Sequence, residues 1–108
     1  MKRHDRFMAD PMPIRLGGIA ANLARIGSCV SDPRNVGAVL DMIEESKWFI
    51  EWAAPSAEVD VAARLAEIQI SLAVSETRLR SGAEAAGQIA QAASEWSDEV
   101  LQMSGLLD

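Results

Sequence analysis

The 108-residue chain has one cysteine, one histidine and no tyrosine, and each scarcity removes a class of chemistry. A lone cysteine, Cys29, closes no internal disulfide. With only His4 to accompany it, the Cys and His sets of structural zinc sites cannot be assembled. The unpaired thiol suits a reducing compartment, and a cytoplasmic location is expected. Aromatic residues make up 5% of the chain, with four prolines and seven glycines, which leaves little material for a many-stranded β fold. No stretch reaches the ~18 consecutive apolar residues of a membrane span. The opening MKRHDRFMADPMPIRLGG is charged like the start of a signal peptide, but Asp5, Asp10, Pro11 and Pro13 interrupt any apolar run behind it.

What the chain does have is alanine, 18 residues of it, 13 from Ala53 onward. Alanine loses no side-chain entropy in a helix and is the strongest helix former. Hydrophobic residues reach 49% and charged residues 24%, the balance of a globular domain, and the length suits one domain only. The net charge of −6 is unevenly placed: residues 1–34 carry +3 and the remainder −9. An acidic body repels phosphate backbones, so no nucleic-acid partner is expected.

Residues 1–12 mix both charge signs with proline and show no apolar period, so they read as a flexible N-terminal arm before a single helical domain at 13–108. The first periodic stretch is Leu16, Ile19, Leu23, Ile26 and Val30, one stripe along a helix. Its companions Gly17, Gly18, Ala20, Ala21, Ala24 and Gly27 are small enough to admit a close neighbour. Ser31, Asp32 and Pro33 then supply a cap followed by proline at a first helical position. A second helix is predicted from Pro33 to Ala53, stopped by Pro55. Val36, Val39, Leu40, Ile43 and Ile50 form its aliphatic side, interrupted by Lys47. Trp48 and Trp52 lie roughly 160° from Ile50, beside Asp41 and Glu45, with Met42 and Phe49 on a flank.

A third helix, from about Ser56 to Arg80, is apolar on two sides. Val61, Leu65, Ile68, Leu72 and Leu79 make one seam; Val59, Ala63, Ala66, Ile70 and Val74 make the other, and such a helix is expected to be packed on both. The seam runs on from Leu79 through Gly82, Ala86, Ile89, Ala93, Trp96, Val100 and Met103 without losing its 3,4 alternation, which read literally is one long coiled-coil helix. Arg78 and Arg80, however, suit a helix end, and Ser81 with Glu84 forms a capping-box pattern that opens a new helix at Gly82 or Ala83. The preferred fold is therefore an all-α antiparallel four-helix bundle. The alternative is a helical hairpin plus one long coiled-coil-like helix that dimerises.

The stretches EESKWFIEWAAP (Glu44 to Pro55) and EWSDEVLQMSGLL (Glu95 to Leu107) resemble segments of a group of small all-helical cyanobacterial proteins. The resemblance spans the last two thirds of the chain. It implies a helical fold, and it brings neither an activity nor catalytic residues.

A search for reactive constellations finds none. His4 lies in the arm and reads as a solvated side chain; Cys29 reads as a small apolar filler. Glu44 and Glu45 point 100° apart on a helix, and no Glu-x-x-His pair offers two ligands on one face. Gly17-Gly18 lacks the strand, the lysine and the further glycines of a phosphate loop. No catalytic, cofactor or metal residue is assigned, and no enzyme activity is expected. A membrane-surface role for Trp48, Phe49 and Trp52 is opposed by Glu44, Glu45 and Glu51, which anionic lipid repels. Trp96 falls on the seam and reads as core.

The expectation is a non-enzymatic adaptor, regulator or assembly factor that binds another protein, most simply as a homodimer. Trp48, Phe49, Trp52, Asp41 and Glu45 form the expected interface. The alternative is a small-molecule-binding or enzymatic bundle with a pocket near Trp96 and an unidentified ligand.

Overall fold

The computed structural model describes residues 2–82 and 84–107, and among these every regular element is a helix. Five α-helices follow in order: α1 (Arg3–Ala9), α2 (Met12–Cys29), α3 (Val36–Ala53), α4 (Val59–Arg80) and α5 (Ala86–Ser104). Short 3-10 turns at Pro33–Asn35 and Ala54–Ser56 lead into α3 and out of it. The four long helices form the bundle: α2 packs on α5 and α3, and α3 packs on α4.

The stops are those the sequence predicts. Asp32 accepts a hydrogen bond from the Arg34 amide at 3.0 Å, holding the turn at Pro33, and α3 ends at Ala53, before Pro55. The guanidinium of Arg34 grips the same carboxylate at 2.8 Å and, with the amide, keeps the Asp32 carboxyl below its ordinary range.

The break between the last two helices is real. α4 stops at Arg80, and Gly82 turns the chain at φ +76°, a left-handed conformation that glycine adopts without a Cβ clash. That overturns the long continuous helix. The predicted capping box does not form: the Ser81 hydroxyl donates back to the Arg78 carbonyl at 3.0 Å, and α5 starts at Ala86 with no side-chain cap. Of the two predicted start positions, Gly82 is turn and Ala83 lies outside the described residues.

The reading of residues 1–12 as a flexible arm needs correction. Residues 3–9 are helical, and Phe7 is buried with its ring stacked on Phe49 at 4.5 Å between centroids. One aromatic side chain, invisible to a periodicity test over so short a stretch, is enough to dock the helix. Arg15 of α2 then closes its end, donating to the Met8 and Asp10 carbonyls, each at 2.7 Å.

The core is aliphatic, with Ile19, Leu23 and Ile26 of α2, Ile43 and Ile50 of α3, Leu65, Ile68 and Leu72 of α4, and Val100 of α5 all at 1% exposure or less. The small residues of α2 do what their size allows. A Cβ on Gly27 would lie 3.2 Å from the Ala90 carbonyl oxygen, so α5 crosses α2 nearly backbone to backbone there. Ser97 on α5 reinforces the contact by donating to the Ala20 carbonyl at 2.8 Å.

Candidate functional site

α3 and α4 build the surface that stands out. On α3, Asp41, Glu44, Glu45 and Trp48 fall within two turns on one side of the helix. Together with Arg3 of α1 they line a cleft of about 280 Å³. The Arg3 guanidinium carbon lies 5.5 Å from the centre of the Trp48 ring, and its Nε is 3.4 Å from Glu45 Oε2. The other Glu45 oxygen accepts from the side-chain amide of Asn22 at 2.9 Å. Asn22 is on α2 and only 2% exposed. A second concavity adjoins the first across Trp48 and runs over Glu44 and Glu51 to Ile70 and Ala73 of α4.

There the outer side of α4 begins. Val59 is 86% exposed, Ile70 66% and Val74 54%, and Ala63, Ala66 and Ala73 between them are exposed as well. This is the second apolar seam predicted from the sequence. The expectation that both seams are packed fails: Leu65, Ile68 and Leu72 are covered, while the opposite side has no covering element among the described residues. The reason is topological. α3 and the 3-10 turn after it take the inner side of α4, and α5 spends its length on α2.

Of the five residues expected at an interface, Trp48, Asp41 and Glu45 share the cleft. Phe49 and Trp52 face another way. Their rings gather around Phe7, with Trp52 at 5.8 Å from both Phe7 and Phe49, and His4 meets Trp52 edge-on at 4.9 Å. The chain's own α1 therefore shields both, and His4 has a fixed neighbour that the sequence did not suggest. Trp48 stacks on Trp52 at 6.4 Å between centroids and remains 39% exposed. Trp96 is half-buried at the edge of the core, beside a shallow cleft of about 290 Å³ between α4 and α5 that Ile70 and Val74 also line. Cys29 is half-buried against the core.

A larger apolar groove of about 520 Å³ opens between α1, the start of α2 and the end of α5, with Phe7, Gly18, Leu101 and Leu106 on its walls and Arg3 and Arg6 on its rim. Two basic groups on α3 and α4 are engaged structurally. Burial favours loss of the Lys47 proton, but hydrogen bonds and attraction from Glu76 and Glu44, each 3.2 Å away, outweigh it and hold the ammonium above its ordinary pKa. Arg64 is likewise raised, chiefly by its hydrogen bonds to Glu99 of α5, one of them 3.1 Å long. Among the described residues there is no cluster of three His, Cys, Asp or Glu able to hold a metal ion, and no helix long and apolar enough to cross a membrane.

Sequence reasoning places Asp41, Glu45 and Trp48 together but misses Glu44, which lines the same cleft, and Arg3, since nothing in the sequence ties the first helix to α3. No family model, curated protein or solved structure matches this chain.

Proposed function

We propose that this protein is a non-enzymatic docking module, an adaptor, regulator or assembly factor, that works by pairing its α4 helix with a helix of a second polypeptide, most simply another copy of itself. The observation that carries this reading is the bare outer side of α4. Val59, Ala63, Ala66, Ile70, Ala73 and Thr77 step 4, 3, 4, 3, 4, the spacing of a coiled-coil seam. Exposed apolar side chains at that spacing gain by removal from water at about 25 cal/mol per Å².

The order of sizes along the seam supports self-pairing. In a two-fold antiparallel arrangement centred between Ala66 and Ile70, each Ile70 meets the partner copy's small Ala66, so bulk falls opposite space, and Ala63 meets Ala73, where two small side chains let the helices come close. The rest of the helix supports it too: with Leu65, Ile68 and Leu72 engaged in the core, a partner on the outer side would leave the fold undisturbed.

Sedimentation velocity tests the reading. The wild-type chain is expected to reach a dimer in the micromolar range, and the double variant Ile70→Glu with Val74→Glu to remain a monomer with an unchanged helical circular-dichroism spectrum. A monomeric wild type at millimolar concentration, or a dimer indifferent to the two glutamates, would sink it.

A further inference from the structure

Helix α1 places an arginine in the cleft on α3, and that contact points to the chemistry the cleft accepts. We infer that the cleft bounded by Trp48, Glu45, Asp41 and Glu44 is a binding site for an arginine side chain of a partner polypeptide, with Arg3 as its internal occupant. The inference goes beyond the preceding reading: the arginine contact lies on α3 and makes no use of the α4 seam, while the apolar part of the ligand and a second copy would compete for Ile70 and Ala73.

Three observations converge. The first is shape and charge together. A guanidinium is planar, stacks on an aromatic face and offers N–H groups at its edge, so an indole wall beside a carboxylate suits it better than a compact ammonium. Trp48 supplies the wall and Glu45 the carboxylate, with Asp41 and Glu44 completing the rim.

The second is the support behind Glu45. Asn22 is an amide in an otherwise aliphatic core, a placement that costs free energy unless the group is hydrogen-bonded. Its side chain donates to Glu45 Oε1 and leaves Oε2 turned to the cleft, where Arg3 meets it. A buried residue on another helix thus fixes the orientation of the carboxylate.

The third is that the internal occupant is held loosely. The Arg3 side chain is 50% exposed, and its approach to Glu45 is 3.4 Å. It belongs to a helix of 7 residues with no side-chain cap at its start and a single buried side chain, Phe7, and helices that short are marginal on their own. An arginine delivered by a better-anchored segment can replace it. The adjoining concavity indicates the anchor: from Trp48 it leads over Glu44 and Glu51 to Ile70 and Ala73. The ligand is thus a cationic amphipathic segment, its arginine in the cleft and its apolar residues on the near edge of α4.

The test follows the Trp48 indole N–H by NMR, assigned through Trp48→Phe, in the full chain at about 150 mM salt, where exposed charges are well screened. The probes are N-acetyl-arginine N-methylamide and its neutral isostere, N-acetyl-citrulline N-methylamide. Removing the internal competitor with Arg3→Ala should tighten the arginine probe at least tenfold. Adding Glu45→Gln should cancel the gain, and the citrulline probe should shift nothing in either background. Arg3→Gln, which keeps the length of the side chain, must give the same gain, with an unchanged urea midpoint showing that α1 is still docked. Equal affinity in wild type and Arg3→Ala, binding that survives Glu45→Gln, or equal response to citrulline would each overturn the site. An 18-residue helical peptide with one arginine and a leucine stripe separates a polypeptide ligand from free guanidinium compounds. It should bind at least tenfold tighter than the small probe and weaken both on Ile70→Glu and on Glu45→Gln; a peptide no tighter than the small probe, or one indifferent to Glu45→Gln, would overturn the assignment of the cleft to a polypeptide arginine.

Discussion

Between α2 and α5 the chain packs backbone against backbone; between α3 and α4 it packs side chain against side chain and bridges the gap with charge. Gly27 lets the Ala90 carbonyl approach to contact, and the chief polar link across that pair is Ser97 to Ala20. Across α3 and α4 the Lys47 ammonium reaches Glu76, and the Gln69 amide donates to the Lys47 carbonyl at 3.0 Å. The contrast explains where a surface is left over. α5 is occupied mainly by its close fit to α2 and reaches α4 only along one edge, through Arg64 to Glu99 and Arg78 to Gln88, so α4 keeps one side in the core and most of the other bare.

The sharpest test of that division uses two isoleucines two residues apart on one helix. Ile68 is fully buried and Ile70 is 66% exposed. Ile68→Ala should cost about 2–5 kcal/mol in urea unfolding, the range for emptying a packed site. Ile70→Ala, at concentrations where the chain is monomeric, should fall within about 0.5 kcal/mol of wild type. Similar costs at both sites would mean that α4 is covered on both sides and would remove the contrast.

Two glycines on α2 probe the other pair. A side chain at Gly27 runs into the backbone of α5, at the Ala90 oxygen and at the Ser94 nitrogen 3.4 Å away, whereas a Cβ at Gly18 meets nothing within 4 Å. Gly27→Val should destabilise by about 1–3 kcal/mol as the helices are forced apart. Gly18→Ala should stabilise by about 0.5–1 kcal/mol, since alanine is the better helix former. Thermal unfolding of the two variants side by side reads both signs. A tolerated valine at Gly27 would refute the close crossing.

Much of this architecture is legible in the sequence. Leu16, Ile19, Leu23 and Ile26 announce a buried stripe, Asp32 a cap and Pro55 a stop, because each acts through neighbours within one or two turns. The same locality explains the failures. Ser81 and Glu84 satisfy the capping pattern, but the turn is made by Gly82, and the Ser81 hydroxyl goes to Arg78 instead. Phe7 is one aromatic among charges, and its partner Phe49 lies 42 positions away, so its burial leaves no periodic trace. Trp48, Asp41 and Glu45 could be placed together because one helix carries all three; Arg3, which completes their cleft, comes from another. The second seam of α4 was equally plain in Val59, Ala63, Ala66, Ile70 and Val74, but periodicity says only that a side is apolar and not that the chain has an element left to cover it.

The smallest expected effect lies in the charged bridge of the α3–α4 pair. Lys47 gains Glu76 and Glu44 as partners on folding, and its pKa rises above the unfolded value despite partial burial. A group raised in this way contributes stability that is fully present below its unfolded pKa, about 10.4 for lysine, and lost as pH rises through the folded value. The stability of the wild-type chain should therefore decline above about pH 10.4 by on the order of 1 kcal/mol from this group. Lys47→Met should remove that part of the alkaline decline while leaving Glu76, one of whose oxygens is buried without a hydrogen-bond partner among the described residues, short of its main cation at neutral pH. Gly27→Val, acting on the other pair, should lower the whole curve without changing its alkaline slope. If urea midpoints from pH 8 to 11 fall equally steeply for wild type and Lys47→Met, the bridge does not hold the two helices together and the α3–α4 pair is as dry in effect as α2–α5.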